Sequence, residues 1–227
     1  KTVSSTTNFG GVPFVVSCTI SNVSGAVESY RPGNWFGDGL DDLYNIGGTG
    51  GSNQLISGLA NINPGSTVKF RMACSATLGG AAVPLQGLVM ADAEASSSGE
   101  YVQATPLTTG ATWRIIDRYR DADCTTQTQA ILTGSTLRLS PDGDECETGP
   151  MAIGFLDGAS SADIELKGGG KSAIALGVVA GADFGDAPVS YGDAGAMVDP
   201  AWSGGVVPAG TTSVSTGFTL SSPGAAI

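Results

Sequence analysis

The sequence predicts an all-β fold, a two-sheet, jelly-roll-like β-sandwich with long loops and few helical turns. Charged residues are 14% of the chain, and 35 of its 227 residues are glycine. Folded domains usually contain about 25% charged residues and about 7% glycine. A composition low in charge and rich in Gly, Ser, Thr, Val and Ala suits pleated strands and tight turns better than helices. All-β folds of about 200 to 250 residues occur as single domains, so we expect one main domain with a short tail.

Segments with strand-like patterns recur along the chain between turns such as "NPGS", "SPDGD" and "KGGGK". In residues 67–78, "TVKFRMACSATL", apolar Val68, Phe70 and Met72 alternate with polar positions, which is the period of a half-buried strand. Seven or more strands at this spacing indicate a sandwich or jelly roll. The predicted strands are 12–23, 67–78, 85–94, 111–119, 135–140, 151–159 and 172–180.

The amino-acid composition of the chain changes after residue 180. The segment that begins "GADFGDAPVSYGDAG" is punctuated by Pro, Gly and Asp, and residues 203–227 are low in charge and rich in Gly, Ser and Thr. We therefore predict a sandwich domain over residues 1–182, and a docked extension with a linker to a following module over residues 183–227. Because the chain starts at Lys1 and shows no secretory apolar region, we expect an excised domain or mature fragment.

The net charge of −11, with ten scattered basic residues, argues against binding to nucleic acids or anionic membrane surfaces. Both partners require a concentrated basic face. The chain also lacks an apolar run long enough to cross a bilayer, so we expect no membrane insertion.

The four cysteines, Cys18, Cys74, Cys124 and Cys146, predict two disulfides. No CxxC pair and no histidine is present, which nearly excludes the common zinc sites. Three pairings are open, and the order of the cysteines along the chain favours Cys18–Cys74 and Cys124–Cys146. Two disulfides indicate an oxidising, extracellular location.

Residues 35–55, "WFGDGLDDLYNIGGTGGSNQL", form the most unusual stretch. Calcium binds hard oxygens in flexible loops, and Asp38, Asp41, Asp42 and Asn45 could supply them, although their spacing is not that of an EF-hand. The alternative is that these aspartates bond their own backbone in turns. A phosphate cradle is disfavoured because the glycines lie beside acidic residues and no lysine. Calcium, structural or bridging to a ligand, is the predicted cofactor, and no organic cofactor is expected.

The same stretch predicts a binding site for sugars or polypeptides. Such sites combine aromatic platforms with short polar side chains, and loops on a rigid scaffold often carry them. The alternative is that the two large aromatic residues anchor the loop to the core. The predicted ligand-binding residues are Trp35, Asp38, Asp41, Asp42, Tyr44, Asn45 and Asn53.

Two patterns could support catalysis, and both are weak. Without histidine, Ser-His-Asp and Cys-His arrangements are excluded. Ser66 and Lys69 have the spacing found in penicillin-binding enzymes but lie at the start of a strand, without the partner motifs. Asp92 and Glu94 would point to one face of a sheet, as in jelly-roll glycoside hydrolases. We expect no enzyme and no catalytic residues, with a carbohydrate-active hydrolase as a minor alternative.

Six phrases occur in order over nearly the whole chain: "WFGDGLDDLYNIGGTGGSN", "GLVMADAEASSSGEYVQA", "TWRIIDRYR", "LSPDGDECETGPMAIGFLDGA", "LKGGGKSAIALGVV" and "DFGDAPVSYGDAG". Together they resemble the second non-repetitive domain of CshA-type bacterial surface adhesins. The resemblance implies a lectin-like β-sandwich that binds ligands at the tip of a long cell-surface protein, with fibronectin the host ligand of one member. We therefore expect a non-enzymatic adhesion domain at a bacterial surface that recognises a glycan or glycoprotein and contacts other modules of the same adhesin. A structural spacer module is the alternative.

Overall fold

The computed structural model describes most of the chain as β-strands. All seven predicted ligand-binding residues, including the four predicted calcium ligands, lie outside the described residues, as does Glu94. The described ranges are 1–30, 58–93, 96–120, 123–146, 149–184, 195–198 and 201–214.

The described ranges contain seventeen strands and no helix. They are β1 (Thr2–Phe9), β2 (Val12–Ser24), β3 (Val27–Tyr30), β4 (Gly58–Asn61), β5 (Thr67–Leu78), β6 (Ala81–Val83), β7 (Gly87–Asp92), β8 (Tyr101–Pro106), β9 (Thr112–Tyr119), β10 (Thr128–Thr133), β11 (Thr136–Pro141), β12 (Met151–Asp157), β13 (Ser161–Lys167), β14 (Ala173–Val179), β15 (Gly181–Phe184), β16 (Gly195–Val198) and β17 (Gly210–Val214).

Two antiparallel sheets form the sandwich. The larger sheet has nine strands in the order β1-β2-β5-β13-β8-β11-β10-β17, with β6 paired to β5 beside this path. The smaller sheet has six strands in the order β3-β4-β14-β7-β12-β9. Strands β15 and β16 pair separately as a two-stranded sheet. The chain crosses between the two main sheets several times, as at the turn between β13 and β14.

The main core lies between the two sheets. Alternate residues of β5, such as Val68, Phe70 and Met72, are buried against Leu88 and Met90 of β7 and their neighbours. This alternation confirms the period-two pattern predicted for residues 67–78. It also fixes which side chains of β5 point to the outside of the larger sheet.

Both predicted disulfides are present. Cys18 and Cys74 lie directly opposite each other in the β2–β5 pair. Cys124 precedes β10 and Cys146 follows β11, so the second bond closes the base of this hairpin. Each disulfide therefore joins segments that are already neighbours in the larger sheet.

The prediction of an all-β sandwich is confirmed, and each of the seven predicted strands corresponds to a strand of the structure. In the described ranges, no helix is long and apolar enough to cross a membrane.

Residues 201–214, here called the strap, run along one side of the sandwich. The N–H of Ile115 donates to the carbonyl of Gly205, and the N–H of Val207 donates to the carbonyl of Trp113, which places the strap against β9 of the smaller sheet. The strap then ends in β17, which pairs with β10 of the larger sheet. It therefore links the edges of the two sheets. The predicted division of the chain at residue 182 stays a prediction.

Candidate functional site

The candidate site lies on the outer face of the larger sheet, across β5, β13, β8 and β11. Because Val68 and Phe70 point into the core, Lys69 and Arg71 point outward. The same alternation in β13 buries Ile164 and turns Asp163 and Glu165 outward. Apolar inner positions on adjacent strands thus place a polar row on the opposite face.

Strand register brings these polar residues together. Lys69 lies opposite Glu165, which lies opposite Gln103 on the next strand, which in turn lies opposite Arg138. These four residues, here called the ladder, cross four strands in one row. Arg71 and Asp163 lie opposite each other in the adjacent row.

Hydrogen bonds connect every step of the ladder. The Nζ of Lys69 lies 2.9 Å from Oε2 of Glu165, and Nε2 of Gln103 donates to the same oxygen at 3.2 Å. Nε of Arg138 donates to Oε1 of Gln103 at 2.9 Å. The hydroxyl of Tyr101 donates to Oε1 of Glu165 at 2.6 Å, so Glu165 is the centre of the network.

The charged environment sets the protonation of Glu165. Burial by itself would raise its pKa, but the hydrogen bonds from Tyr101 and Lys69, with the charges of Lys69 and Arg138, outweigh burial and lower the pKa. For Tyr101, burial and the hydrogen bond to Glu165 together raise the pKa of the phenol. At neutral pH the network therefore holds an ionised carboxylate and a protonated phenol.

Arg71 and Asp163 form a bidentate ion pair beside the ladder. Nε of Arg71 donates to Oδ1 of Asp163 at 2.7 Å, and Nη2 donates to Oδ2 at 2.9 Å. This hydrogen bonding lowers the pKa of Asp163 and raises the pKa of Arg71. Two parallel charge-assisted bonds fix both side chains in one geometry.

Arg138 has donor capacity left over. Its guanidinium carbon lies 3.8 Å from the centre of the Tyr101 ring, a cation–π stack. Only Nε of Arg138 donates to another side chain within the described part of the chain. Its two Nη groups therefore point away from the ladder without a partner among those residues.

A shallow groove of about 280 Å³ lies over β5, β13 and β8. Asn22 contributes to its rim from a β-bulge in β2, where the pairing with β5 shifts by one residue. Asn22 has a φ of 53°, in the left-handed region that is uncommon for residues other than glycine. Bulges often redirect a side chain next to a binding site. The residues lining the groove are Asn22, Lys69, Phe70, Arg71, Gln103, Thr105, Asp163, Ile164 and Glu165.

The chemistry of this face is that of recognition. It presents amides, guanidinium groups and carboxylates, which are the groups that bind hydroxyl-rich or charged ligands. No group of three His, Cys, Asp or Glu residues that could hold a metal ion occurs within the seven described ranges. The carboxylate of Asp142 accepts the N–H of Gln127, which is a structural role in the β10–β11 hairpin.

Of the two catalytic patterns, the structure describes Ser66, Lys69 and Asp92, whereas Glu94 lies outside the described residues. Asp92 is buried and accepts the hydroxyl of Ser96 at 2.5 Å. The hydroxyl of Ser66 is buried without a hydrogen-bond partner among the described residues, whereas Lys69 extends to the outer face and pairs with Glu165. Ser66 and Lys69 therefore do not form a pair of reactive groups.

Sequence reasoning missed the ladder. Residues 161–167, "SADIELK", carry a clear alternation of Ala162, Ile164 and Leu166 with charged residues, so β13 could have been found. Its acids could not be matched with Lys69 and Arg71, because 92 residues separate Arg71 from Asp163. The pairing depends on strand register.

The described residues form an antiparallel β-sandwich with two disulfides and a polar outer face. A family model described as "Surface adhesin CshA non-repetitive domain 2" matches residues 1–179, and the chain belongs to this family. The match covers both main sheets except β17. It identifies a surface adhesin module and indicates a non-enzymatic, extracellular or cell-surface role. No curated protein and no solved structure matches the chain.

Proposed function

We propose that the domain attaches its parent protein to a glycan or glycoprotein on a host or other surface, with fibronectin among the candidate ligands. The observation that carries the proposal is the ladder, a row of hydrogen-bonding side chains held on a rigid sheet in a module of an adhesin family. Side chains fixed by their neighbours lose little conformational freedom when a ligand binds.

The loop residues predicted from the sequence belong to the same proposal. Trp35 and Tyr44 would offer aromatic surfaces to sugar rings, and Asn53 would offer an amide. Asp38, Asp41, Asp42 and Asn45 would hold a calcium ion that organises the loop or bridges to the ligand. The support for this second site is the composition of residues 35–55 alone.

The test is a binding screen with the complete 227-residue domain in its oxidised form. The domain is applied to a glycan array and to immobilised fibronectin, with calcium or with a chelator. We expect saturable binding to at least one class of ligand. Absence of binding to every glycan, matrix protein and cell surface, in both conditions, would overturn the proposal.

Two double variants then test whether residues 35–55 bind calcium and the ligand. Replacing Asp41 and Asp42 by alanine is expected to abolish the calcium dependence of binding without changing the melting temperature measured in the chelator. The matched control replaces Asp123 and Asp144, two acids outside the loop, and should bind like the parent. Equal behaviour of the two double variants would remove the loop from the proposal.

A structural spacer is the second candidate, and one observation favours it. Both oxygens of Glu165 and both oxygens of Asp163 already accept hydrogen bonds inside the protein, as in a row that serves only the stability of the sheet. A spacer predicts that ladder variants reduce attachment only in proportion to the loss of folded protein. Loss of attachment at an unchanged melting temperature would exclude it.

A further inference from the structure

The ladder and the groove beside it carry more positive than negative charge. The cationic side chains Lys69, Arg71 and Arg138 accompany two carboxylates, Asp163 and Glu165, while the whole chain has a net charge of −11. This face therefore carries a small net positive charge on an acidic protein. An anionic ligand repelled elsewhere would be drawn to it.

The unused hydrogen-bonding capacity is also on the cationic side. Each carboxylate oxygen of Asp163 and Glu165 accepts at least one internal hydrogen bond. By contrast, Nη1 of Arg71 and both Nη groups of Arg138 have no partner within the described residues. The donors left to meet a ligand are on these guanidinium groups and on the exposed Nζ of Lys69. The guanidinium groups match the planar geometry of a carboxylate.

The two guanidinium groups lie on opposite sides of this face, with Arg138 at one end of the ladder and Arg71 in the adjacent row. Arg71 is on β5 and Arg138 is on β11, three strands away across β13 and β8. Three strand spacings of about 4.8 Å and an offset of two residues along the strand, about 7 Å, separate the two sites by about 16 Å. One small acid cannot reach both sites, whereas an extended chain with repeated carboxylates can.

The groove suits partial contact with sugar rings. Its volume of about 280 Å³ lies below the roughly 300 to 1,000 Å³ of sites that enclose a whole ligand. Amide groups of Asn22 and Gln103 and the hydroxyl of Thr105 line it. These groups can bond ring hydroxyls while the guanidinium groups bind the acids.

We propose that this face binds an acidic polysaccharide whose repeated uronate carboxylates engage Arg71 and Arg138 across the ladder. The inference rests on the proposed adhesive function and specifies its ligand class. Binding at two separated sites on one chain makes the second contact intramolecular, so affinity should rise steeply with oligomer length. Because salt screens the charges, binding should weaken as the salt concentration rises.

The experiment measures binding of the oxidised domain to glucuronic acid, to hyaluronan oligosaccharides of increasing length, to neutral chito-oligosaccharides and to heparin. We expect hyaluronan oligosaccharides long enough to span both arginines to bind best, with affinity falling as salt is raised. Replacing Arg138 with glutamine should weaken binding of the long oligosaccharides about tenfold, and should reduce the weak binding of glucuronic acid much less, because Arg71 still offers it a site. Arg118→Gln, an equal change of charge on β9 of the other sheet, should have no effect.

The outcomes separate the two proposals. Equal binding of neutral oligosaccharides, binding of heparin alone, or equal effects of Arg138→Gln and Arg118→Gln would overturn the uronate site while leaving the adhesive function in place. If neither fibronectin nor any glycan binds, both the uronate site and the adhesive function are overturned. Circular dichroism and melting temperature of each variant confirm that the fold is retained before affinities are compared.

Discussion

The buried carboxylate of Glu100 accepts the backbone N–H of Gly169 at 2.6 Å across 69 residues of sequence. The same carboxylate accepts the N–H of Ser97 at 2.6 Å and the hydroxyl of Ser172 at 2.9 Å. It therefore holds the "KGGGK" turn, which carries the chain from β13 in the larger sheet to β14 in the smaller one. A Cβ at Gly169 would lie 2.9 Å from the carboxylate, so this approach requires glycine.

Replacing Glu100 with glutamine is expected to lower the free energy of unfolding by about 2 kcal/mol, because hydrogen bonds to charged groups contribute about 1.5 to 3 kcal/mol. The amide group also presents a donor to backbone N–H groups that need an acceptor. Urea denaturation of the oxidised domain measures the loss.

The control is Glu28→Gln. Glu28 pairs with Lys171 in the same region, but both side chains are more than 40% exposed. Exposed ion pairs contribute less than about 1 kcal/mol. Equal losses for Glu28→Gln and Glu100→Gln would contradict the role assigned to the buried carboxylate.

The two disulfides should stabilise the domain to different extents. Cys18–Cys74 closes a loop with a sequence separation of 56, and Cys124–Cys146 one with a separation of 22. Chain entropy gives about 4 kcal/mol for the longer loop and about 3.4 kcal/mol for the shorter one. Paired substitution by alanine, followed by urea denaturation, should therefore cost more at Cys18 and Cys74. A larger loss at Cys124 and Cys146 would show that loop length does not set the order.

Stability should fall in acid through the carboxylates of the recognition face. The folded-state pKa values of Asp163 and Glu165 lie below their ordinary values of 3.8 and 4.5. Both carboxylates therefore stabilise the folded state fully at pH values above those ordinary pKa values. This stabilisation is lost as the pH falls through the lowered pKa of each group. Asp163→Asn is expected to flatten the dependence of the unfolding free energy on pH below about 4. An unchanged slope, from urea melts between about pH 2 and 6, would contradict the lowered pKa.

Arg114 should control the attachment of the strap. It donates to Asp157 at 2.9 Å and to the carbonyls of Gly204 and Trp202 at 2.7 and 2.9 Å, and its side chain is 11% exposed. Arg114→Gln should speed hydrogen exchange at the N–H of Val207, which bonds β9, by at least tenfold. Arg118→Gln, on the same strand, is the control. Equal protection of Val207 in both variants would show that the strap is held by other contacts.

The sequence predicted strands of two kinds, the alternating β5 and the nearly continuous apolar runs of β12 and β14. β5 was found because burial of Val68 and Phe70 alternates with exposed charge. β1 was missed because "TVSSTTNF" is polar on both faces and is stabilised by cross-strand contacts such as the bond between the hydroxyls of Ser4 and Ser17. Such a strand shows no alternation of apolar and polar residues in its own sequence. Its formation depends on the strand with which it pairs.

The recognition face could be predicted only in part, for the same physical reason. Sequence alternation identifies outward charges on one strand, but the neighbour of each charge follows from strand order and register. Arg138 would have been read as an ordinary exposed charge, because its stack on Tyr101 joins two different strands. The residues of the 35–55 stretch lie outside the described residues, so their roles stay predictions.

The Cys18–Cys74 bond limits how far the domain can be pulled apart by tension on its N-terminal end. Such a pull first peels β1 from β2 and then draws β2 away from β5, one pair of backbone bonds at a time. At Cys18 the next link is covalent and leads into β5, the strand that carries Lys69 and Arg71. Tension at the N-terminal end can therefore release residues 1–17 as extended chain while the strand that carries Lys69 and Arg71 stays folded.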